Sequence, residues 1–223
     1  MTKVPRQETV QEIAQTASRR PPAMFLADAL GLDFLNSVAT PVDTEVDWID
    51  DGDGLLAWLA QAQLAPTETL ETLRAQAMPG ELDSVAAQAR SLREWFREFV
   101  RQHKGRPLTS KALDELAPLN RLLERDEGFG RIVSDDHGDV SGLAFQTTRR
   151  WRSPEALLLP IGEALAKFVC EEDFSHAKAC EGPACTLVFA DHTRGRARRW
   201  CSMAICGNRA KQAAHRNRLK LQQ

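Results

Sequence analysis

Four of the chain's five cysteines, Cys180, Cys185, Cys201 and Cys206, fall as C-x4-C, a fifteen-residue spacer, and C-x4-C again. In a reducing compartment such a cluster does not suit a disulfide framework, and dithiol redox chemistry favours the tighter C-x-x-C spacing. Zinc takes four thiolates tetrahedrally, and two tight turns presenting two sulfurs each make such a cage once the spacer folds back. Gly182, Pro183 and Gly207 beside the cysteines suit those turns. Structural Zn2+ on all four sulfurs is therefore the expected cofactor, with spacing wider than the usual C-x2-C knuckle. Cys170 stands outside the pattern in an apolar helical stretch and is expected in the core. His176 and His192 flank the knuckles, but four cysteines already fill a tetrahedral site.

The spacer reads as a hairpin. Thr186 to Ala190 (TLVFA) has strand character, Asp191 to Gly195 (DHTRG) supplies turn residues, and Arg196 to Trp200 (RARRW) returns as the partner strand. Five residues out and five back, about 17 Å each way, bring the second knuckle to the first.

Charge divides at the first of these cysteines. The net charge is −2, but residues 1–179 hold 20 Lys and Arg against 29 Asp and Glu, and residues 180–223 hold 9 against 2. After Cys206, Asn208 is a good N-cap, and nothing interrupts a helix from Arg209 to Gln222. Arg209, Gln212, Arg216 and Lys220 share one face of it, with Lys211, His215 and Arg218 beside them. A cationic helix of this kind fits the DNA major groove. Arg194, Arg196, Arg198 and Arg199 extend the basic surface toward the backbone. Some of these charges offset the −2 of a zinc tetrathiolate, Arg209 first among them. The nucleic-acid set expected from sequence is thus Arg194, Arg196, Arg198, Arg199, Asn208, Arg209, Lys211, Gln212, Arg216, Arg218 and Lys220. An acidic protein surface or single-stranded RNA are the other partners this charge admits.

The strings CEGPAC and DHTRGRARRWCSMAICGNRAK resemble the C-terminal module of the CGNR zinc-finger family of bacterial proteins, over residues 176–220. ALGLDFLNSVAT, Ala29 to Thr40, is similar to the opening of the helical domain that precedes this finger, where LDFVNT-like text is usual. The resemblance implies a two-domain, stress-induced transcription regulator. The chain departs from the family's frequent DTSRN-like turn at Asp191-His192-Thr193-Arg194-Gly195, which bears on base reading by that turn and not on the metal.

The elements that must carry this module are mostly helical. Leu82 to Val100 places Leu82, Val85, Ala89, Leu92, Phe96 and Phe99 at spacings of three and four, and Ala156 to Val169 repeats the habit through Leu157, Ile161, Leu165 and Phe168. Shorter helices are predicted at Leu55 to Ala65, Thr67 to Ala77 and Thr109 to Glu124. Arg131 to Thr148 reads as a β-hairpin turning at Asp136-His137-Gly138-Asp139. The predicted fold is mainly α with a small β-hairpin (α+β): a loosely ordered arm over 1–22, an α-rich regulatory, ligand-sensing or dimerisation domain over 23–175, and a treble-clef-like or ribbon-like zinc module over 176–223. Apolar content of 43% supports a real core.

No secretory signal or membrane-length apolar run is found, so the expectation is a soluble cytoplasmic protein. Asp50-Asp51-Gly52-Asp53-Gly54 fits a helix-capping turn better than a cation loop. There is no GxSxG, P-loop or HExxH, and the chain is not expected to be an enzyme. Asn36, polar in the apolar LDFLNSV stretch, is a candidate ligand contact, although an internal hydrogen bond is the commoner fate. The combined expectation is a DNA-binding regulator that carries zinc, with a small-molecule effector and a homodimer as possible further partners and no membrane.

Overall fold

The computed structural model describes residues 20–40, 44–135 and 142–220. Seven helices occur among the described residues: α1 (Leu30–Leu35), α2 (Gly52–Gln61), α3 (Thr67–Gln76), α4 (Glu81–His103), α5 (Ala117–Leu123), α6 (Leu158–Glu171) and α7 (Asn208–Lys220). Three antiparallel two-stranded ribbons join them: β1 (Val38–Ala39) with β2 (Val46–Asp47), β3 (Gly128–Asp135) with β4 (Gly142–Arg149), and β5 (Ala177–Ala179) with β6 (Val188–Ala190). The mainly α fold with small β elements is as expected.

α4 and α6 form the scaffold. Phe96, Phe99 and Val100 of α4 and Leu157, Ile161, Leu165 and Phe168 at α6 are buried, as helical periodicity requires. α1 lies against α6 so closely that a Cβ on Gly31 would stand 2.8 Å from Phe168 Cβ and 3.0 Å from the Ala164 carbonyl, a contact only glycine permits. An aromatic chain continues toward the C-terminal module, with Phe96–Phe168 ring centroids 6.0 Å apart and Phe168–Phe174 4.8 Å apart. Asp51 caps α2 by accepting from Gly54 N at 2.7 Å, while Asp53 pairs with Arg74. The DDGDG stretch is thus the helix-capping turn it was read as.

Several expectations are corrected. Cys170 is exposed: it follows Phe168 by two residues, and about 200° of helix rotation carries it off the buried stripe. The segment predicted as one helix over Thr109 to Glu124 is two 3-10 turns, Ser110–Ala112 and Asp114–Leu116, before α5; Pro118 suits the start of that helix and not its interior. The β3–β4 hairpin forms, but its expected turn at 136–139 lies outside the described residues. Of the expected arm, residues 1–19 also lie outside them. Arg20 pairs with Asp50 and Asp51, and Pro21 accepts from Trp48 Nε1 at 2.7 Å. No helix among the described residues is long and apolar enough to cross a membrane.

A cleft of about 410 Å³ opens between α1 and α6, with Leu30, Gln63, Arg149, Glu163 and Lys167 in its walls. That volume is in the range of small-molecule sites.

Candidate metal centre

The loop between β5 and β6 is the first knuckle. Cys180 N donates to Leu187 O at 2.9 Å and Cys185 N to Gly182 O at 3.0 Å, so this short loop turns both sulfurs inward. A Cβ on Gly182 would stand 2.9 Å from Cys206 Sγ and 3.1 Å from Cys185 Cβ, which leaves room there for hydrogen alone. The second pair sits where the chain enters the last helix. Ser202 caps a π-helical turn, Met203–Gly207, by accepting from Ala204 N at 3.2 Å, and both Cys206 N and Gly207 N donate to Ser202 O. Single π turns of this kind recur at functional sites. The expected N-cap at Asn208 is therefore corrected: the helical path begins at Ser202, and Asn208 is already in helical conformation.

The Sγ atoms of Cys180, Cys185, Cys201 and Cys206 all lie within 4.8 Å of one another. Cys185–Cys201 is 3.8 Å and Cys201–Cys206 3.6 Å. A tetrahedron with Zn–S bonds of about 2.3 Å has edges near 3.8 Å, so the quartet fits one zinc ion. The separations are far beyond a disulfide bond. Backbone N–H groups of Cys201 and Gly182 point at Cys180 Sγ, at 3.2 and 3.4 Å, the outer contacts that orient a ligating sulfur. Without a cation the four sulfurs cannot all ionise. The hydrogen bond from Cys201 pulls Cys185 down to about 5, the same bond and then burial drive Cys201 upward, and burial foremost pushes Cys206 up to about 12. One divalent cation removes that conflict. Neither flanking histidine joins the cluster: His192 Nε2 is 2.7 Å from Glu172, and His176 lies beside Asp173.

The spacer does not return as a strand. β6 pairs with β5, Ala177↔Ala190 to Ala179↔Val188, and not with Arg196 to Trp200. Arg196 has φ 46°, a left-handed conformation that ends an extended run. Asp191, fully buried, organises this loop instead by accepting from Lys178 Nζ at 2.7 Å, Thr193 Oγ1 at 2.6 Å, Thr193 N and Arg198 N. Burial alone would raise its pKa, but those four donors hold it well below the usual carboxylate range.

Arg198 leaves the basic surface altogether. Its guanidinium lies 4.1 Å over the Phe189 ring and donates to Asp28 Oδ2, Leu26 O and Cys201 O. Asn36 is likewise committed. It is 2% exposed, and its side chain donates to Val188 O at 2.8 Å and accepts from Val188 N at 3.0 Å. The expectation of a ligand contact at Asn36 is corrected to the internal bond. Together with Ala190 N to Ala27 O at 2.8 Å, these contacts seat the finger on α1 and the segment before it. Asp33 takes part by accepting from Leu26 N and Ala27 N, and burial pushes it up to about 6. Because Asn36→Ala leaves both polar groups of Val188 without partners, it should cost about 1–3 kcal/mol in urea unfolding. Full stability of that variant would mean water replaces the amide.

Arg199 is exposed, paired with Glu181, with its guanidinium 4.9 Å over the Trp200 ring. Trp200 is part of the packed core margin. Arg196 is exposed and donates to Asp191 O. Arg194, Asn208, Lys211, Gln212, Arg216 and Arg218 are all exposed, while Arg209 is half-buried. Among the described residues no ion pair engages Arg194, Lys211 or Arg216. The side chain of Lys220 lies outside the described residues, as does the expected end of the helix at Gln222.

Comparison with known families agrees with this geometry. The ABATE family model, described as "putative stress-induced transcription regulator", matches residues 28–172, and the CGNR zinc finger model matches residues 176–219. Neither is an enzyme family. No curated protein matches the chain.

Proposed function

The chain belongs to the ABATE family and carries a CGNR zinc finger over residues 176–219, and from that premise we propose that it is a DNA-binding transcription regulator whose zinc is held by Cys180, Cys185, Cys201 and Cys206. The observation that carries this reading is α7: thirteen residues with five Lys or Arg and no acidic side chain, rooted directly in the π turn that carries Cys206. Zinc supplies no reaction here; it fixes the entry angle of that helix relative to the β5–β6 knuckle. Arg194, Asn208, Lys211, Gln212, Arg216, Arg218 and Lys220 form the DNA-facing set, with Arg196, Arg199 and Arg209 at its margin and Arg198 removed from it. Residues 23–175 act as the regulatory domain, with the cleft between α1 and α6 as the place where an effector enters. Residues 176–223 act as the reader.

With about five phosphate contacts, log K for duplex DNA should fall against log salt with a slope near −4.5. Lys211→Glu with Arg216→Glu removes two contacts and should bring the slope to about −2.7 while zinc content stays at that of the wild type. Filter binding or fluorescence anisotropy over a salt series reads both. Negligible duplex affinity at low salt, or tighter retention of single-stranded RNA, would overturn the reading.

A further inference from the structure

β3 and β4 form a ribbon that pairs with no other strand among the described residues. Its register sets Gly130 opposite Thr147, Ile132 opposite Phe145 and Ser134 opposite Leu143, and residues directly opposite share a face. On that face Ile132 is 70%, Phe145 76% and Leu143 80% exposed. The Phe145 ring lies against Gly130, where a Cβ would collide with it. Between Gly130 and Leu143 this face carries no charged residue. The opposite face carries Arg131 and Gln146, and Arg149 at the root is turned away to Glu163 and Asp126. A lone two-stranded ribbon is marginal in water, and three large apolar side chains exposed together mark an interaction surface.

We propose that this face joins two copies of the chain, ribbon against ribbon about a two-fold axis. A two-fold contact sets the same patch against itself, so a charged patch would repel its copy, whereas this uncharged one is self-complementary. Eight residues at about 3.4 Å and two strands about 4.8 Å apart give a face about 27 Å by 10 Å. With its side chains and edges, each ribbon would bury about 500 Å², and the pair about 1,000 Å², the lower end of specific interfaces. Nucleic acid is a poor occupant of a face without cations. An anionic bilayer is disfavoured because the sequence that joins β3 to β4 is acidic, with Asp136 and Asp139 following Asp135.

Sedimentation equilibrium of the full chain tests this. The wild type should dimerise with Kd in the micromolar range, as a small apolar interface allows. Phe145→Asp should be monomeric. Because that change can also disturb the ribbon, Ile132→Thr and Phe145→Thr, which keep strand-favouring side chains, should weaken the dimer about tenfold or more. Arg131→Glu, on the other face, should leave it unchanged. A wild type that stays monomeric at about 100 µM, a dimer indifferent to both threonine variants, or a monomer that captures anionic vesicles through Phe145 overturns the proposal.

Discussion

Cys201→Ser should abolish stoichiometric zinc and unfold the C-terminal module while leaving the helical part folded. Cys201 is the hub of the quartet, within 3.8 Å of Cys185 and 3.6 Å of Cys206, with its N–H donating to Cys180 Sγ. The substitution replaces one thiolate with a hydroxyl, a poor ligand for zinc, and removes the sulfur that stands against both Cys185 and Cys206. Metal binding in small zinc modules contributes about 10–16 kcal/mol of apparent folding free energy, more than any single contact in this molecule. What remains of the finger is three paired residues per strand and the seat on α1, too little to order α7. Elemental analysis should fall from about one zinc per chain to none. Proteolysis should open between residues 191 and 208, while the aromatic cluster of Phe96, Phe168 and Phe174 keeps the rest protected. Because Cys201 and Cys206 hold their protons tightly in the metal-free site, zinc must displace them, and its affinity should fall as pH is lowered. Retention of zinc by the variant would show that the quartet is not the site.

The second large effect lies far from the finger. Arg93 is 3% exposed, and its guanidinium grips Asp47 through two bonds of 2.8 and 2.7 Å and also donates to Ser37 Oγ. The pair ties β2 to α4. Asp47→Ala leaves the buried guanidinium with only Ser37 and the exposed Glu94 carboxylate 3.1 Å from its Nε and should cost about 3 kcal/mol, whereas Asp47→Ala combined with Arg93→Met should recover much of the loss, since an apolar side chain needs no partner. Chemical denaturation of the three variants gives the coupling directly. The sign with pH follows from Asp47. Burial alone would raise its pKa, but the Arg93 bonds outweigh burial and hold it below its ordinary value. The contribution is therefore present above the unfolded carboxylate range and lost as pH falls through the lower folded value. Stability that does not change below about pH 4 would remove Asp47 from this role.

Arg93 had a visible sequence signal that periodicity alone passed over. It stands four residues after Ala89 and three before Phe96, in register with the apolar stripe, and a charge in such a stripe asks for a partner. Which residue supplies that partner depends on where β2 docks. The same contrast runs through the whole molecule. The long helices, the β3–β4 hairpin and the quartet of sulfurs were legible because each is written in short-range terms: 3.6-residue periodicity, alternation about a turn, and ligand chemistry at fixed spacing. Fold class and cofactor follow from these alone.

Tertiary structure decided the remaining assignments. β6 chose β5 and not RARRW, since the Asp191 loop and the left-handed Arg196 redirected the chain. Arg198, indistinguishable in sequence from its basic neighbours, was withdrawn to Asp28 and Leu26, 170 and 172 residues away. Asn36 found Val188 at a separation of 152. Local sequence limits which bonds a polar side chain can make. Which distant backbone arrives to make them is settled only when the finger packs on α1, because burial leaves no water to serve in its place.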